Sequence, residues 1–245
     1  MAGKRASLTE ALTRKLRINT VLDDDDIAAI ERLPFRAEEL PAGAVIANEG
    51  DRPSRCCLLV EGYLYRAKMT EDGKRQILSL HVPGDIPDLQ SLHLHVSDHA
   101  LVALCPSVVG FVPHSAMHEI TRARPAVAAA LWRETLIDAA MFREWIVNVS
   151  RRPAAQRMAH LLSELARRLD AVGRSKDDAY YLPLTQTDLA DALGLTSIHV
   201  NRVLQVLRKD GVLELKGHVL RFGDAARLEA MGDFDPLYLH QNPQS

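Results

Sequence analysis

Between Ala44 and Phe111 the chain runs in short β-favouring stretches, with Gly43, Gly50, Gly62, Gly73 and Gly84 falling at fairly regular intervals along it. That rhythm predicts an antiparallel sandwich or roll. Tyr63, Tyr65, Ala67 and Met69 alternate with Leu64, Arg66 and Lys68, then Glu71-Asp72-Gly73-Lys74 supplies a turn and Leu78, Leu80 and Val82 alternate again. The pattern predicts a β-hairpin with one buried face. Ahead of the roll, Asp23 to Asp26 put acid at the positive end of a short helix through Ile27 to Leu33, a reading preferred here to an acidic metal site.

After Pro125 the period becomes helical, and a long helix is expected to about Ser150, where Pro153 interrupts it. Ala128, Trp132, Thr135, Ala139, Phe142, Ile146 and Val149 follow a 4,3,4,3,4,3 spacing, while Arg133, Glu134, Asp138, Arg143 and Glu144 fall off it. Such a seam suits pairing with the same helix of a second chain; packing on its own domain is the other use. A second helix carries Met158, Leu161, Leu162, Leu165 and Leu169 between Ala154 and Leu169. Arg174 to Asp178 reads as a loop, and the tail after Asp233 as irregular and mobile. These elements divide the chain into a sensor-like β-roll with an N-terminal helix at 1–124, a dimerisation helix at 125–152 and a C-terminal domain at 153–245, which the next stretch identifies as a winged helix-turn-helix DNA-binding domain.

Leu184 to Phe222 is the most informative stretch. Thr185 with Asp188 makes a capping-box-like helix start, Gly194 allows a tight turn, and Thr196 or Ser197 caps a second helix bearing Val200, Val203, Leu204 and Leu207 on one face. Small Ala190 lets the two helices cross closely, and Leu189 and Leu193 fill the inside. The remaining positions present Ser197, Ile198, His199, Asn201, Arg202 and Gln205, mainly side chains able to meet base edges or phosphate in a major groove. Gln186, Thr187 and Thr196 are placed to fix the phosphate register. Beyond the second helix, Arg208, Lys209, Lys216, His218 and Arg221 flank a hairpin with a Lys216-Gly217 turn, a wing able to touch the DNA backbone. Together these predict a winged helix-turn-helix and double-stranded DNA as partner.

Composition changes this picture little. The 245 residues are 47% hydrophobic and 25% charged with a formal charge of -2, which excludes disordered and collagen-like classes and leaves nucleic-acid binding to local charge. With no apolar run long enough to span a bilayer and no signal-peptide core, the expectation is a cytoplasmic protein without a membrane partner. The three cysteines, Cys56, Cys57 and Cys105, offer neither a disulfide framework nor a zinc pair, and all are read as reduced.

On these features the chain resembles the Crp/Fnr superfamily of transcription regulators, from about Leu22 to Phe222: the glycine-spaced roll, the Gly84-Asp85 turn, the long helix and the winged motif. The resemblance implies an α+β protein: an N-terminal antiparallel β-roll of jelly-roll type, a long central dimerisation helix and a C-terminal winged helix-turn-helix. It also implies a homodimer on an inverted repeat, RNA polymerase as a further partner if the protein activates, and no enzyme activity. The start of the reading helix departs from the cyclic-AMP-responsive branch, which has Arg then Glu where this chain has Ser197 and Ile198. Arg202 retains the family's final reading position, and His199 and Asn201 become candidate purine readers.

In cyclic-nucleotide-binding relatives a Gly-Glu pair and a downstream Arg hold the ribose and the phosphate. Here the corresponding candidate effector residues are Gly84, Asp85, Asp88, Asp98 and His99, with an aspartate near the place of the guanidinium, so cyclic AMP in the usual mode is not expected. An iron–sulfur cluster is not expected either, since three badly placed cysteines do not supply its ligands. No cofactor or metal is therefore assigned. His93, His95 and His99 lie close in sequence to Asp88 and Asp98, with His93 and His95 on one face of an expected strand. A metal site or pH latch is open to that group, though a solvated loop is preferred. The HxH pair also raises a rival class, a jelly-roll metalloenzyme, and use of the winged domain as a protein-interaction module is a further alternative.

Overall fold

The computed structural model describes residues 2–175 and 179–241, with side chains from residue 8 onward. Residues 176–178 of the expected Arg174–Asp178 loop and residues 242–245 of the tail lie outside the described residues. The chain forms two compact units. One contains residues up to 68, residues 79–139 and those from 240; the other contains residues 69–78 and 140–239.

The first unit begins with α1 (Ala2–Asn19) and α2 (Asp24–Glu31), then β1 (Arg36–Leu40), β2 (Val45–Ala47), β3 (Arg55–Glu61), β4 (Leu64–Met69), β5 (Arg75–His81), β6 (Ala100–Ala103) and β7 (Ser107–Pro113). It ends with α3 (His114–Ala123) and the first half of α4 (Pro125–Arg151). The strands form two antiparallel sheets, β1-β7-β3 and β2-β6-β4-β5. Strand β3 explains how they pack. Its Cys57 and Leu59 join Leu64, Leu101, Ala103, Val109 and Phe111 between the sheets, while Cys56, Leu58 and Val60 turn to the other side against Leu8, Leu12 and Leu16 of α1. A strand covered on both faces reads as a continuous apolar run.

The expected N-terminal helix, through Ile27 to Leu33, is α2; α1 precedes it as a second helix outside the expected elements, although Leu8, Leu12 and Leu16 repeat at a four-residue spacing and are 1–2% exposed. It comes close to the sheet at Gly110, where a Cβ would stand 2.6 Å from Leu8 Cδ2. Helix α2 starts as its acid run suggested: Asp26 N–H donates to the Asp23 carboxylate at 2.7 Å, and Asp23 N–H returns a bond to Asp26.

The hairpin expectation needs correction. Leu64, Tyr65, Arg66 and Ala67 are all buried, as are Ile77, Ser79, Leu80 and His81, so this part of the hairpin is covered on both faces rather than one. The segment around His93 and His95 is corrected as well. It is an exposed connection after a 3-10 turn (Leu89–Leu92), not a strand, and the His93 ring meets His118 of α3 at 5.9 Å between centroids.

The second unit carries the rest of α4, then α5 (Ala154–Ala171), β8 (Ala179–Tyr181), α6 (Gln186–Leu193), α7 (Ser197–Lys209), β9 (Leu213–Lys216), β10 (Val219–Phe222) and α8 (Ala225–Met231). The sheet order is β8-β10-β9, and Leu220 of β10 faces Tyr180 on one side and Leu215 on the other. At its centre Glu164 of α5, fully buried, accepts from Trp145 Nε1 at 3.0 Å, Arg168 at 3.2 Å and the Tyr238 hydroxyl at 2.8 Å.

That network corrects the mobile tail. Pro236–Leu239 forms a 3-10 turn, the Tyr238 ring stacks on His160 at 5.8 Å, and Leu239 is 3% exposed. The buried carboxylate needs donors, and the tail supplies one of them.

Gly62 joins β3 to β4 at φ +89°, and a Cβ there would overlap Ser107 Oγ and stand 2.8 Å from the Pro106 carbonyl oxygen. Backbone strain and overlap both oppose a side chain. Gly62→Ala is expected to lower stability by about 2–4 kcal/mol, read from the urea midpoint.

Candidate nucleic-acid interface

The helix pair of the second unit is built by local rules that the sequence states. Thr185 Oγ1 accepts from Asp188 N–H at 3.1 Å, and Thr185 N–H donates to the Asp188 carboxylate at 3.0 Å. This capping box starts α6. Gly194 ends it in the left-handed region at φ +63°, where glycine carries no Cβ penalty. Thr196 then caps α7, accepting from His199 N–H at 3.2 Å. Leu189, Ala190 and Leu193 of α6 and Val200, Val203, Leu204 and Leu207 of α7 are buried.

The face of α7 opposite those buried residues carries Ile198, Arg202, Gln205 and Lys209 at positions i, i+4, i+7 and i+11, all exposed. Asn201 lies at its edge and is only partly open. Its Nδ2 donates to Gln186 Oε1 at 3.2 Å, which joins the reading helix to the start of α6. Thr187 and Thr196 are exposed beside this contact, and Ser197 is half-buried. His199 is half-buried and falls on the flank with Val206, away from the line through Ile198 and Arg202. Every charged side chain of α7 is basic: Arg202, Arg208 and Lys209.

Lys216 and His218 are exposed on either side of Gly217, the left-handed residue of the β9–β10 turn at φ +61°. Sequence reasoning missed Tyr181 of β8, which is 54% exposed and meets the His218 ring edge-on at 6.0 Å. The signal was present in the strand alternation, since Tyr180 and Leu182 on either side are buried. Also in this unit, Arg75 forks onto Asp188 and Asp191 of α6 at 2.7 Å each, and the Gln76 amide donates to the Asp191 carbonyl at 2.7 Å.

The candidate effector residues sit in the first unit, and several already have structural work. Gly84 adopts φ +97° with Lys15 and Ala11 of α1 against it. Asp85 is buried, accepts from Val82 N–H at 3.0 Å and pairs with Lys15 at 3.1 Å. Asp88 accepts from Cys57 N–H at 2.7 Å, and Asp98 pairs with His99 at 2.8 Å.

The residue that links this region was not singled out from sequence. Arg66, 3% exposed, pairs with Asp138 of α4 at 2.6 Å and donates through Nε to the Pro87 carbonyl at 2.8 Å. Its charge acts on Asp88, His81 and His99 alike. A cyclic phosphate needs a guanidinium to pair with. Arg66 of this region already meets Asp138 and the Pro87 carbonyl.

Of the predicted seam on α4, Trp132 and Ile146 are open at 69% and 64% exposed, while Ala128, Thr135, Ala139, Phe142 and Val149 are only half-exposed. Leu136, outside the predicted set, is 56% exposed. The open apolar stripe is therefore turned slightly from the one the spacing suggested. Trp132 and Leu136 line a groove with Asn19, Thr20 and Val21 from the end of α1.

Residues 37–124 match the cyclic nucleotide-binding domain family, and residues 156–231 match the Crp-like helix-turn-helix domain. The chain is 30% identical over 220 residues to the transcriptional activator protein FnrL of Cereibacter sphaeroides, covering 86% of each. The chain belongs to the Crp/Fnr superfamily of transcription regulators. A second relative of this regulator is electron transport regulator A of Shewanella oneidensis, 25% identical with 88% of this chain and 86% of that one covered. Among solved structures, FixK2 from Bradyrhizobium japonicum superposes with a TM-score of 0.75 at 26% identity, covering 81% of this chain and 98% of FixK2. The protein is thus a Crp/Fnr-type transcription regulator with a helix-turn-helix DNA-binding domain. Among the described residues no helix is long and apolar enough to cross a membrane.

Around Arg66, two buried groups pull the pH dependence of stability in opposite directions. Burial raises the Asp88 carboxyl to about 7, against the opposing pull of the Cys57 N–H and Arg66. Between about pH 4 and 7 the folded protein keeps a proton that the unfolded chain has released, so this contribution is lost as pH rises. Burial and then the Arg66 charge lower His81 to about 4, so the folded protein refuses a proton that the unfolded chain takes up below about pH 6.5. That contribution is lost as pH falls. Asp88→Asn is expected to abolish the decline toward pH 7 and leave stability rising with pH from about 4 to 6.5. Urea denaturation across that range checks it, and a wild-type profile in the variant would contradict it.

Proposed function

We propose that this regulator binds an inverted-repeat DNA site as a homodimer, with α7 of each protomer in successive major grooves about 34 Å apart. The observation that carries the reading is the outward face of α7, where Arg202, Gln205 and Lys209 are exposed and no acidic side chain stands among them. Gln186, Thr187 and Thr196 and the wing residues Lys216 and His218 hold the phosphates. Arg202 reads guanine O6 and N7. The protomers pair through the open stripe of α4, because a large exposed tryptophan beside an exposed leucine gains by burial against a second copy. The protein acts in the cytoplasm, and RNA polymerase is a further partner where it activates.

In this reading cyclic AMP is not the effector, and the roll holds no iron–sulfur cluster. The Arg66–Asp138 pair takes the charge that a cyclic phosphate would need, and Cys56, Cys57 and Cys105 are 0%, 0% and 6% exposed. The regulator answers to another signal or to its own abundance.

Selection of bound sequences from a random duplex pool by the full-length protein tests this reading. Enrichment of an inverted repeat with half-sites one turn apart, unchanged by cyclic AMP, is the expected result; no enrichment overturns it. Trp132→Glu should convert dimer to monomer by sedimentation and weaken binding to the full repeat at least about tenfold, since a charge replaces apolar contact at the seam. Arg202→Ala should cost about 1–3 kcal/mol and relax one half-site position, whereas a uniform loss across sequences would assign Arg202 to phosphate.

A further inference from the structure

The least expected side chain on the reading face is Ile198. It is 85% exposed, more than any other large hydrophobic residue described, and it sits one turn before Arg202 on the side of α7 opposite Val200, Val203 and Leu207. Nothing in its own fold covers it. It neither donates nor accepts a hydrogen bond, so it cannot read the donor and acceptor pattern of a guanine, cytosine or adenine edge. The major groove offers one apolar base-edge group, the 5-methyl of thymine.

The surroundings favour DNA as the occupant over an apolar protein surface. Ile198 lies in line with Arg202, Gln205 and Lys209, and Asn201 stands at the edge of that line, fixed by Gln186. An apolar protein partner seated on Ile198 would have to desolvate these polar and charged groups, whereas a DNA groove offers acceptors to them and a methyl to the isoleucine. We infer that Ile198 is a specificity-determining residue that selects thymine at one position of each half-site by contact with the 5-methyl group.

The inference rests on the DNA-binding reading above and adds a base to it. The rise from Ile198 to Arg202 is about 6 Å and a base step about 3.4 Å, so the two contacts fall within about two base pairs of one another.

The test uses the full-length protein and the site enriched from the random pool. Each thymine is replaced in turn by uracil, which keeps the base pair and removes only the methyl group. One thymine per half-site should then be found at which uracil weakens wild-type binding about fourfold, the loss of one methyl contact. Ile198→Ala should bind the thymine and uracil sites equally at that position and keep its sensitivity to mutation elsewhere; the side chain is exposed, so folding is not at stake. Enrichment of a site by the wild type with no uracil-sensitive thymine, or equal uracil sensitivity in Ile198→Ala, overturns the inference and leaves the DNA reading standing. Failure of the wild type to enrich any site overturns both.

Discussion

A guanidinium that is 3% exposed must find compensation for its lost hydration, and in the first unit that requirement falls on Arg66. Its partners come from parts of the chain far apart in sequence: Asp138 on α4, the Pro87 carbonyl in the loop after β5, and Gln90 in the 3-10 turn. Satisfying one side chain therefore fixes the position of the loop, the roll and the central helix together. Lys15 adds a second tie of the same kind, reaching Asp85 at 3.1 Å and Glu134 at 3.5 Å, so α1 is bound to both the loop and α4. The rotation of α4 follows from these pairs. With Glu134 and Asp138 turned inward, Trp132 and Leu136 are left facing out.

The second unit meets a similar constraint at Glu164, whose carboxylate has no exposure at all. Trp145 from α4, Arg168 from its own helix and Tyr238 from beyond α8 donate to it. A tail that looked irregular because it contains Pro236 becomes an ordered part of the domain. The unit that presents α7 is held at both ends of its sequence by one buried charge, and the reading face lies on a helix rather than on a loop.

The parts legible in the sequence were those fixed by local rules. The Thr185–Asp188 box, the Gly194 turn, the Thr196 cap and the Lys216-Gly217 hairpin are each determined within four residues, and each has the geometry its residues imply. The parts that were not legible depend on contacts between distant residues. A hydrophobic alternation shows that a strand has a buried side but not that its other side is covered too, so nothing in the pattern marks Arg66 as enclosed. The exact open stripe of α4 was likewise hidden, because a helix of this kind offers adjacent apolar stripes and only the inward pull of Glu134 and Asp138 selects between them. His93 and His99 are close in sequence yet find different partners, His118 and Asp98, since the chain turns between them.

The same reasoning gives meaning to the apolar side chains left in water. An exposed leucine or valine alone needs no explanation. Trp132 with Leu136 on one helix, and Ile198 at the start of a polar reading face, differ in the residues around them. At Trp132 the apolar side chains of Val21, Ala129 and Leu136 line the same groove as Asn19, Thr20 and Arg133, a mixed lining that suits another protein surface. At Ile198 the neighbours one turn on are the Arg202 guanidinium and the Asn201 amide, which suit a surface rich in acceptors. The polar context of each exposed residue, more than its own hydrophobicity, distinguishes a site for a second copy of the chain from a site for a base.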